Sequence, residues 1–216
     1  MSETLRETVC WANQMLLRTA LVTTHSGNVS GLDREAGRLY IKPSGVDYDL
    51  LTPEDVVEVD LETGMPIGGR LKPSVDLPHH LLLYRNDPEV GGVVHTHSCY
   101  ATAFAAAGRA IPPYLTAIAD EFGGPIPCAP YVDNEGDHIG EAILRHKTQA
   151  PAVLLASHGV FTWGTSVEGA LKAAVMVEDV ARTVWLSLAI GQPTELPPAE
   201  IAKWHGRYHG GGYGQG

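Results

Sequence analysis

The stretch PAVLLASHGVFTWG, residues 151–164, decides the fold. Two short apolar runs, 152–157 and 160–163, flank His158 and Gly159 and are rich in β-branched and aromatic residues. That pattern predicts two strands meeting at a tight turn, and strands joined so closely run antiparallel. Working outward, further short strands bounded by turn residues are expected at 39–42, 56–60, 92–97 and 126–129. Helical spacing is strongest at Val167, Ala170, Leu171, Ala174, Val177, Ala181, Val184 and Leu188. Thr165 and Glu168 stand at capping-box spacing before this helix and Gly191 at its stop. Other helices are predicted over 5–21, 77–84, 100–107 and 139–146, each broken by Gly, Pro or Asn near its end. Strands interleaved with helices around a hairpin predict an α/β fold with a mainly antiparallel central β-sheet flanked by helices.

The 216 residues carry 15 Lys and Arg against 25 Asp and Glu, a formal charge of −10, and 44% of them are hydrophobic. This composition describes a folded, soluble chain and excludes disorder. The acidic balance, with no cluster of Lys and Arg, argues against nucleic acid as a partner. No apolar run approaches the ~18 residues of a membrane span, so no membrane partner is expected. The start, MSETLRETVCWANQM, has no basic segment leading into an apolar run. Cys10, Cys99 and Cys128 form no close pair and leave one over, which fits reduced thiols. Together these features predict a cytoplasmic protein. With no internal repeat and no dividing linker, residues 1–216 read as one domain, with 205–216 a flexible glycine-rich tail.

The chemistry is concentrated in VVHTHS, where His95 and His97 stand two apart on a predicted strand. A period of two aims both imidazoles to one side, so two nitrogens can share one ion. Taken alone, the pair also reads as ordinary surface or core histidines. His158 adds a third imidazole, and Gly159 beside it allows a tight turn or a close backbone approach. Three histidines suit an open, catalytic divalent-metal site. Asp76 in KPSVD opens a predicted helix and reads as an added oxygen ligand, a proton-transferring carboxylate or a helix-start acid. Asp120, beside Glu121 in IADEF, reads by itself as a surface acid. The small-residue segments HSGNVS, KPSGVD and KPS offer backbone N–H groups and hydroxyls for an anion, with Lys42 supplying charge, although each is also an ordinary turn. Tyr213, His205 and His209 are unusual in a flexible tail, and a tail phenol folded over a pocket can exchange a proton.

In order, GNVS (27–30), IKPSGVDYD (41–49), KPSVDLPHHLLLY (72–84), VVHTHS (93–98), IPC (126–128) and SHGVFTWG (157–164) resemble the class II aldolase and epimerase family. The resemblance runs from about Ala20 to the last residues. It implies a three-layer α/β domain, a homotetramer with active sites between subunits, and one divalent metal per subunit, Zn²⁺ or another such as Mn²⁺ or Co²⁺. By position it implies His95, His97 and His158 as metal ligands with Asp76 at the acidic position of that site. The implied phosphate pocket comprises Gly27, Asn28, Lys42, Ser44, Gly45 and Ser74, and the implied catalytic acid/base pair is Asp120 and Tyr213, reaching a neighbouring subunit's metal.

Asp76 places the resemblance in the epimerase branch, because related sugar-phosphate aldolases tend to carry Glu there. The reaction so implied interconverts L-ribulose 5-phosphate and D-xylulose 5-phosphate by breaking and remaking the C3–C4 bond, since C4 bears no acidic hydrogen. An L-fuculose-1-phosphate type aldolase, which releases its aldehyde, and a non-enzymatic adducin-like binding protein are the competing expectations. Two departures stand out: Val75 where the epimerases usually carry a second phosphate-contacting serine, and the short tail GGGYGQG leading to Tyr213.

Overall fold

The computed structural model describes residues 2–210. Its helices are α1 (Ser2–Arg18), α2 (Leu77–Asn86), α3 (Cys99–Ala106), α4 (Thr116–Phe122), α5 (His138–His146), α6 (Val167–Ile190) and α7 (Pro198–His209). Its strands are β1 (Gly27–Asp33), β2 (Arg38–Ile41), β3 (Val57–Asp60), β4 (Gly92–Thr96), β5 (Cys128–Ala129), β6 (Ala152–Leu155) and β7 (Gly159–Gly164). They form one sheet in the order β3-β2-β1-β4-β7-β6-β5. Every pairing is antiparallel except β5 with β6. The hairpin expected from residues 151–164 is the β6–β7 pair.

The alternation of side chains across the pleat sorts the core into layers. Leu39, Ile41, Val93, Val153 and Phe161 face a layer built by α2 and α5. Val29, Tyr40 and Val94 face α1 and α6, while Leu154 and Val160 face α3, α4 and α6. The result is three layers, helix, sheet, helix.

Several local expectations are corrected. The segment read as the turn HSGNVS continues into β1, which pairs with both β2 and β4. Its glycines hid it: a Cβ on Gly31 would stand 2.6 Å from Val167 and 2.9 Å from Leu5, so the strand is bare where α1 and α6 press on it. Ser166, not Thr165, is the N-cap of α6, and its hydroxyl accepts from Gly169 N–H. Thr165 is held outside the helix because its carbonyl lies over Gly91, where a Cβ would approach to 2.2 Å. α1 stops at Arg18 rather than residue 21, since Ala20 takes the left-handed conformation (φ 57°) and Leu21 N–H closes back on Leu16 O. The strand expected at 126–129 is reduced to two residues, because Pro127 has no N–H to give and Ile126 bridges to Ile111 instead.

α4 and α7 were not expected. The supposed tail is helical as far as His209: α7 starts at a proline, buries Ile201 and packs on α4. Lys172 of α6 places its ammonium 4.7 Å from the ring centre of Tyr208, and His205 Nδ1 lies 3.1 Å from the carbonyl oxygen of Asp120. Among the described residues no helix is long and apolar enough to cross a membrane.

Candidate active site

Three strands put one row of side chains on the α2 face of the sheet. Asn28 of β1 lies opposite His95 of β4, which lies opposite Phe161 of β7, and residues directly opposite in adjacent strands share a face. His95 stacks flat on Phe161, ring centres 4.3 Å apart, and its Nδ1 lies 3.0 Å from Val160 O. A carbonyl partner fixes the proton on Nδ1 and leaves the Nε2 lone pair free to ligate. That Nε2 is 3.0 Å from Nε2 of His97 and 3.3 Å from Nε2 of His158.

His97 lies just beyond the end of β4 and His158 in the β6–β7 turn, where Ser157 adopts a left-handed conformation (φ 60°). Gly159 makes this convergence possible. A Cβ there would stand 2.5 Å from Thr96 O, 2.9 Å from His97 Cδ2 and 3.3 Å from His95 Cε1. The close backbone approach expected at this glycine is therefore present.

Burial pushes the His95 imidazole down to about 3 against the pull of Asp76, and burial also lowers His97 and His158. All three are neutral at pH 7, as ligands must be. Nitrogens bound at 2.0–2.1 Å around a tetrahedral ion stand about 3.3 Å apart. The donor set fits a divalent metal in both spacing and protonation, and the three residues are grouped closely enough to hold one.

Beside the histidines is a polar cluster. Asp76 is the N-cap residue of α2, yet its carboxylate makes no capping bond. It accepts instead from Asn28 Nδ2 at 2.6 Å and from Ser74 Oγ at 3.3 Å. Burial disfavours its ionised form, but the neighbouring His95 and His80 and the Asn28 N–H outweigh this and hold the carboxyl below its usual range. Asn28 Oδ1 is buried with no partner among the described residues. A buried acceptor left open beside a donor-rich site is available to a ligand hydroxyl or a water.

The two Lys-Pro-Ser segments, 42–44 and 72–74, are zipped together: Ser44 N–H donates to Lys72 O and Ser74 N–H to Lys42 O, both at 2.9 Å. Ser44 and Gly45 are exposed on this turn, and Gly45 needs its positive φ of 73°. Lys42 itself points inward. Its ammonium donates to Val46 O (2.6 Å) and Pro43 O (3.2 Å) and sits 4.7 Å from the Tyr48 ring centre, with burial lowering its pKa against the opposing pull of Asp47. Lys42 therefore builds the turn. Tyr48 ties the turn to β1 through a 2.6 Å bond to Gly27 O. Gly27 (φ 136°) admits no side chain, because a Cβ would meet His95 O at 2.8 Å. Val75 is exposed beside Ser74 and offers no side-chain donor.

Asp120 lies on α4, which packs on α7 and α6; its carbonyl meets His205, and among the described residues no hydrogen bond or ion pair joins it to His95, His97 or His158. Its Oδ1 is buried without a partner among the described residues, whereas the adjacent Glu121 pairs with Lys172 at 2.7 Å. Tyr213 lies outside the described residues.

Sequence reasoning missed the support beneath the site. Ser30 of β1, opposite Val93 of β4, bonds both His80 Nδ1 (2.7 Å) and Tyr84 OH (2.8 Å) of α2, and Phe161 makes edge-type ring contacts with His79 and His80. The adjacent histidines in DLPHHLLLY are the signal that pointed to it.

Three histidines grouped closely enough to hold a cation, on a mainly antiparallel sheet flanked by helices, fit a metal-dependent class of α/β enzyme. The chain belongs to the family described as class II aldolase and adducin N-terminal domain, whose model matches residues 7–185. It is 42% identical over 197 residues to an L-ribulose-5-phosphate 4-epimerase of Salmonella typhi, covering 86% of each chain. Among solved structures it resembles an L-fuculose 1-phosphate aldolase (TM-score 0.86, 25% identity, 95% of this chain and 96% of that one). It also resembles the L-fuculose-1-phosphate aldolase of Thermus thermophilus (TM-score 0.70, 26% identity, 88% and 99%).

Proposed function

We propose that the chain is a divalent-metal-dependent L-ribulose-5-phosphate 4-epimerase, forming D-xylulose 5-phosphate by cleaving and remaking the C3–C4 bond. The observation that carries this reading is the convergence of His95, His97 and His158 beside the Asn28–Ser74–Asp76 cluster. The 42% identity to a curated epimerase supports it. His95, His97 and His158 would hold the ion, Zn²⁺ or another nitrogen-favouring cation such as Co²⁺, with Mn²⁺ a further candidate and Asp76 at the acidic position. When bound, the ion supplies Lewis-acid polarisation of substrate oxygens.

The chain's own residues do the rest. Gly27, Asn28, Ser44, Gly45 and Ser74 cradle the phosphate, on a turn that Lys42 holds from within. Anchoring the phosphate keeps the aldehyde fragment in place once C3–C4 has broken, so its other face can be presented for re-addition. Of Asp120 and Tyr213, one removes the C4 hydroxyl proton as the bond breaks, leaving the electron pair on the three-carbon fragment. The other protonates the new C4 oxygen after the aldehyde has turned. Among the described residues no hydrogen bond or ion pair joins Asp120 to His95, His97 or His158 of its own chain, so this role requires the metal site of a neighbouring subunit, in a homotetramer with active sites between subunits. A cytoplasmic setting suits such a metabolic enzyme.

The test is NMR of the zinc-loaded protein with L-ribulose 5-phosphate. Appearance of D-xylulose 5-phosphate without free aldehyde is expected, whereas aldehyde as the main product moves the protein to the aldolase branch that the structural relatives represent. Asp120→Asn and Tyr213→Phe are each expected to lower turnover by roughly 10²-fold or more. Unchanged turnover in both removes the acid/base assignment.

A further inference from the structure

His97 has no strand to hold it. It sits between Thr96, the last residue of β4, and Ser98, which precedes α3. Ser98 is the N-cap residue of α3, but its side chain makes no capping bond. The open N–H groups of this helix are taken from elsewhere: Glu178, 78 positions further along on α6, accepts from Tyr100 N–H at 2.9 and 3.1 Å with its two oxygens and from Ala101 N–H at 2.9 Å. A carboxylate at a helix N-terminus is favoured by the dipole as well as by these bonds.

The donor of this cap matters. α6 packs along β4, the strand of His95, and along β7, the strand that follows His158. The helix that fixes α3 thus also backs the two strands that set the other histidines. The side of His97 away from the sheet is referenced to the same rigid rod.

We propose that Glu178 is a positioning residue for the metal site: by capping α3 from α6, its carboxylate fixes the link that carries His97 within reach of His95 and His158. This rests on the reading of the three histidines as metal ligands. Removing the carboxylate frees the start of α3 and lets His97 drift, while His95, on its strand with its own Val160 partner, stays in place. The expected consequence is a weakened ion held by two well-placed imidazoles and one loose one.

The probe is Co²⁺ alone, added to the metal-stripped full chain, with its visible absorption and dissociation constant as readouts. Glu178→Ala is expected to weaken Co²⁺ binding by roughly 10- to 100-fold, the range for groups that orient metal ligands, and to alter the absorption bands. Glu178→Gln keeps an acceptor oxygen and is expected to restore the bands and part of the affinity. A merely structural cap lowers the melting temperature but leaves both Co²⁺ readouts at wild-type values, and that result overturns the proposal. If Glu178→Ala does not fold, Glu178→Gln decides alone: weakened Co²⁺ binding supports the positioning role and wild-type binding overturns it. Failure of the unmutated chain to bind Co²⁺ through histidines overturns the metal reading itself, and this inference with it.

Discussion

Replacing Gly159 by alanine tests the geometry of the site with a single methyl group. The new Cβ would stand 2.5 Å from Thr96 O. Carbon and carbonyl oxygen rest no closer than roughly 3.3 Å, so β4 and β7 must part locally by about 0.8 Å. Both obstructing groups are fixed, one being backbone and the other the His95–His97 pair. Overpacking of this kind costs about 1–3 kcal/mol, and in a chain of this size each kcal/mol lowers Tm by about 2–4 °C. The metal-free variant should therefore melt roughly 2–12 °C below the parent. Displacing His158 from its partners should also weaken zinc at least tenfold, on the scale seen when ligand orientation is lost. Zinc at 100 times the parent's dissociation constant stabilises the parent by about 2.7 kcal/mol, and a tenfold weaker site by about 1.4 kcal/mol. Calorimetric melts with and without zinc read both effects. Gly169→Ala is the control: its Cβ would make only ordinary contacts at 3.7 and 3.9 Å, so the change should be neutral or stabilising by up to about 1 kcal/mol. If Gly159→Ala melts with the parent and gains as much from zinc, the close approach of β7 to the histidines is not what sets the site.

Asp76→Asn removes the charge from the 2.6 Å bond to Asn28 and should cost about 1.5–3 kcal/mol in urea unfolding together with a loss of zinc affinity; parental values for both would count against the cluster. Tyr84→Phe leaves Ser30 bonded to His80 but removes the phenol, and a loss of about 0.5–1.5 kcal/mol is expected with little change in zinc binding. Burial pushes His80 down to about 3 in the fold, so between that value and about 6.5 the unfolded chain binds the extra proton. Stability of the metal-free protein should thus fall as pH drops below 6.5, by up to about 1.4 kcal/mol per pH unit for each such histidine. A flat profile between pH 7 and 5 would show that His80 is not buried neutral.

The residues that carry chemistry were legible because their spacing matched an element that formed. His95 and His97 converge as a strand period requires, although His97 is one residue beyond the strand, and His158 joins them because a glycine follows it. β1 was hidden by the feature that makes it work, since HSGNVS with Gly27 reads as a turn, while Gly27 and Gly31 serve close packing. α7 was hidden because His205 and its neighbours precede a glycine run, and the contacts that order it come from Asp120 and Lys172, distant in sequence. Lys42 shows the limit for charge: its residue type is right for an anion pocket, but only the fold reveals that its donors turn inward. The Ser30–His80–Tyr84 support joins β1 to residues 50 and 54 positions further on, so the paired histidines of α2 mark one end of it while their partner on β1 is set only by the fold.

The zipped Lys-Pro-Ser segments also determine where the molecule can be lengthened. Between them the chain leaves the anchor, passes through β3 and returns, and its base is closed by the Ser44–Lys72 and Ser74–Lys42 bonds. At Gly68 and Gly69 on this excursion, nothing lies within 4 Å of where a side chain would begin. Each doubling of a flexible loop costs only about 0.6 kcal/mol in closure entropy. An inserted tag or recognition peptide at Gly68–Gly69 would be insulated from Ser74 by the clasp, which makes this point a natural port for engineering that leaves the paired segments in place.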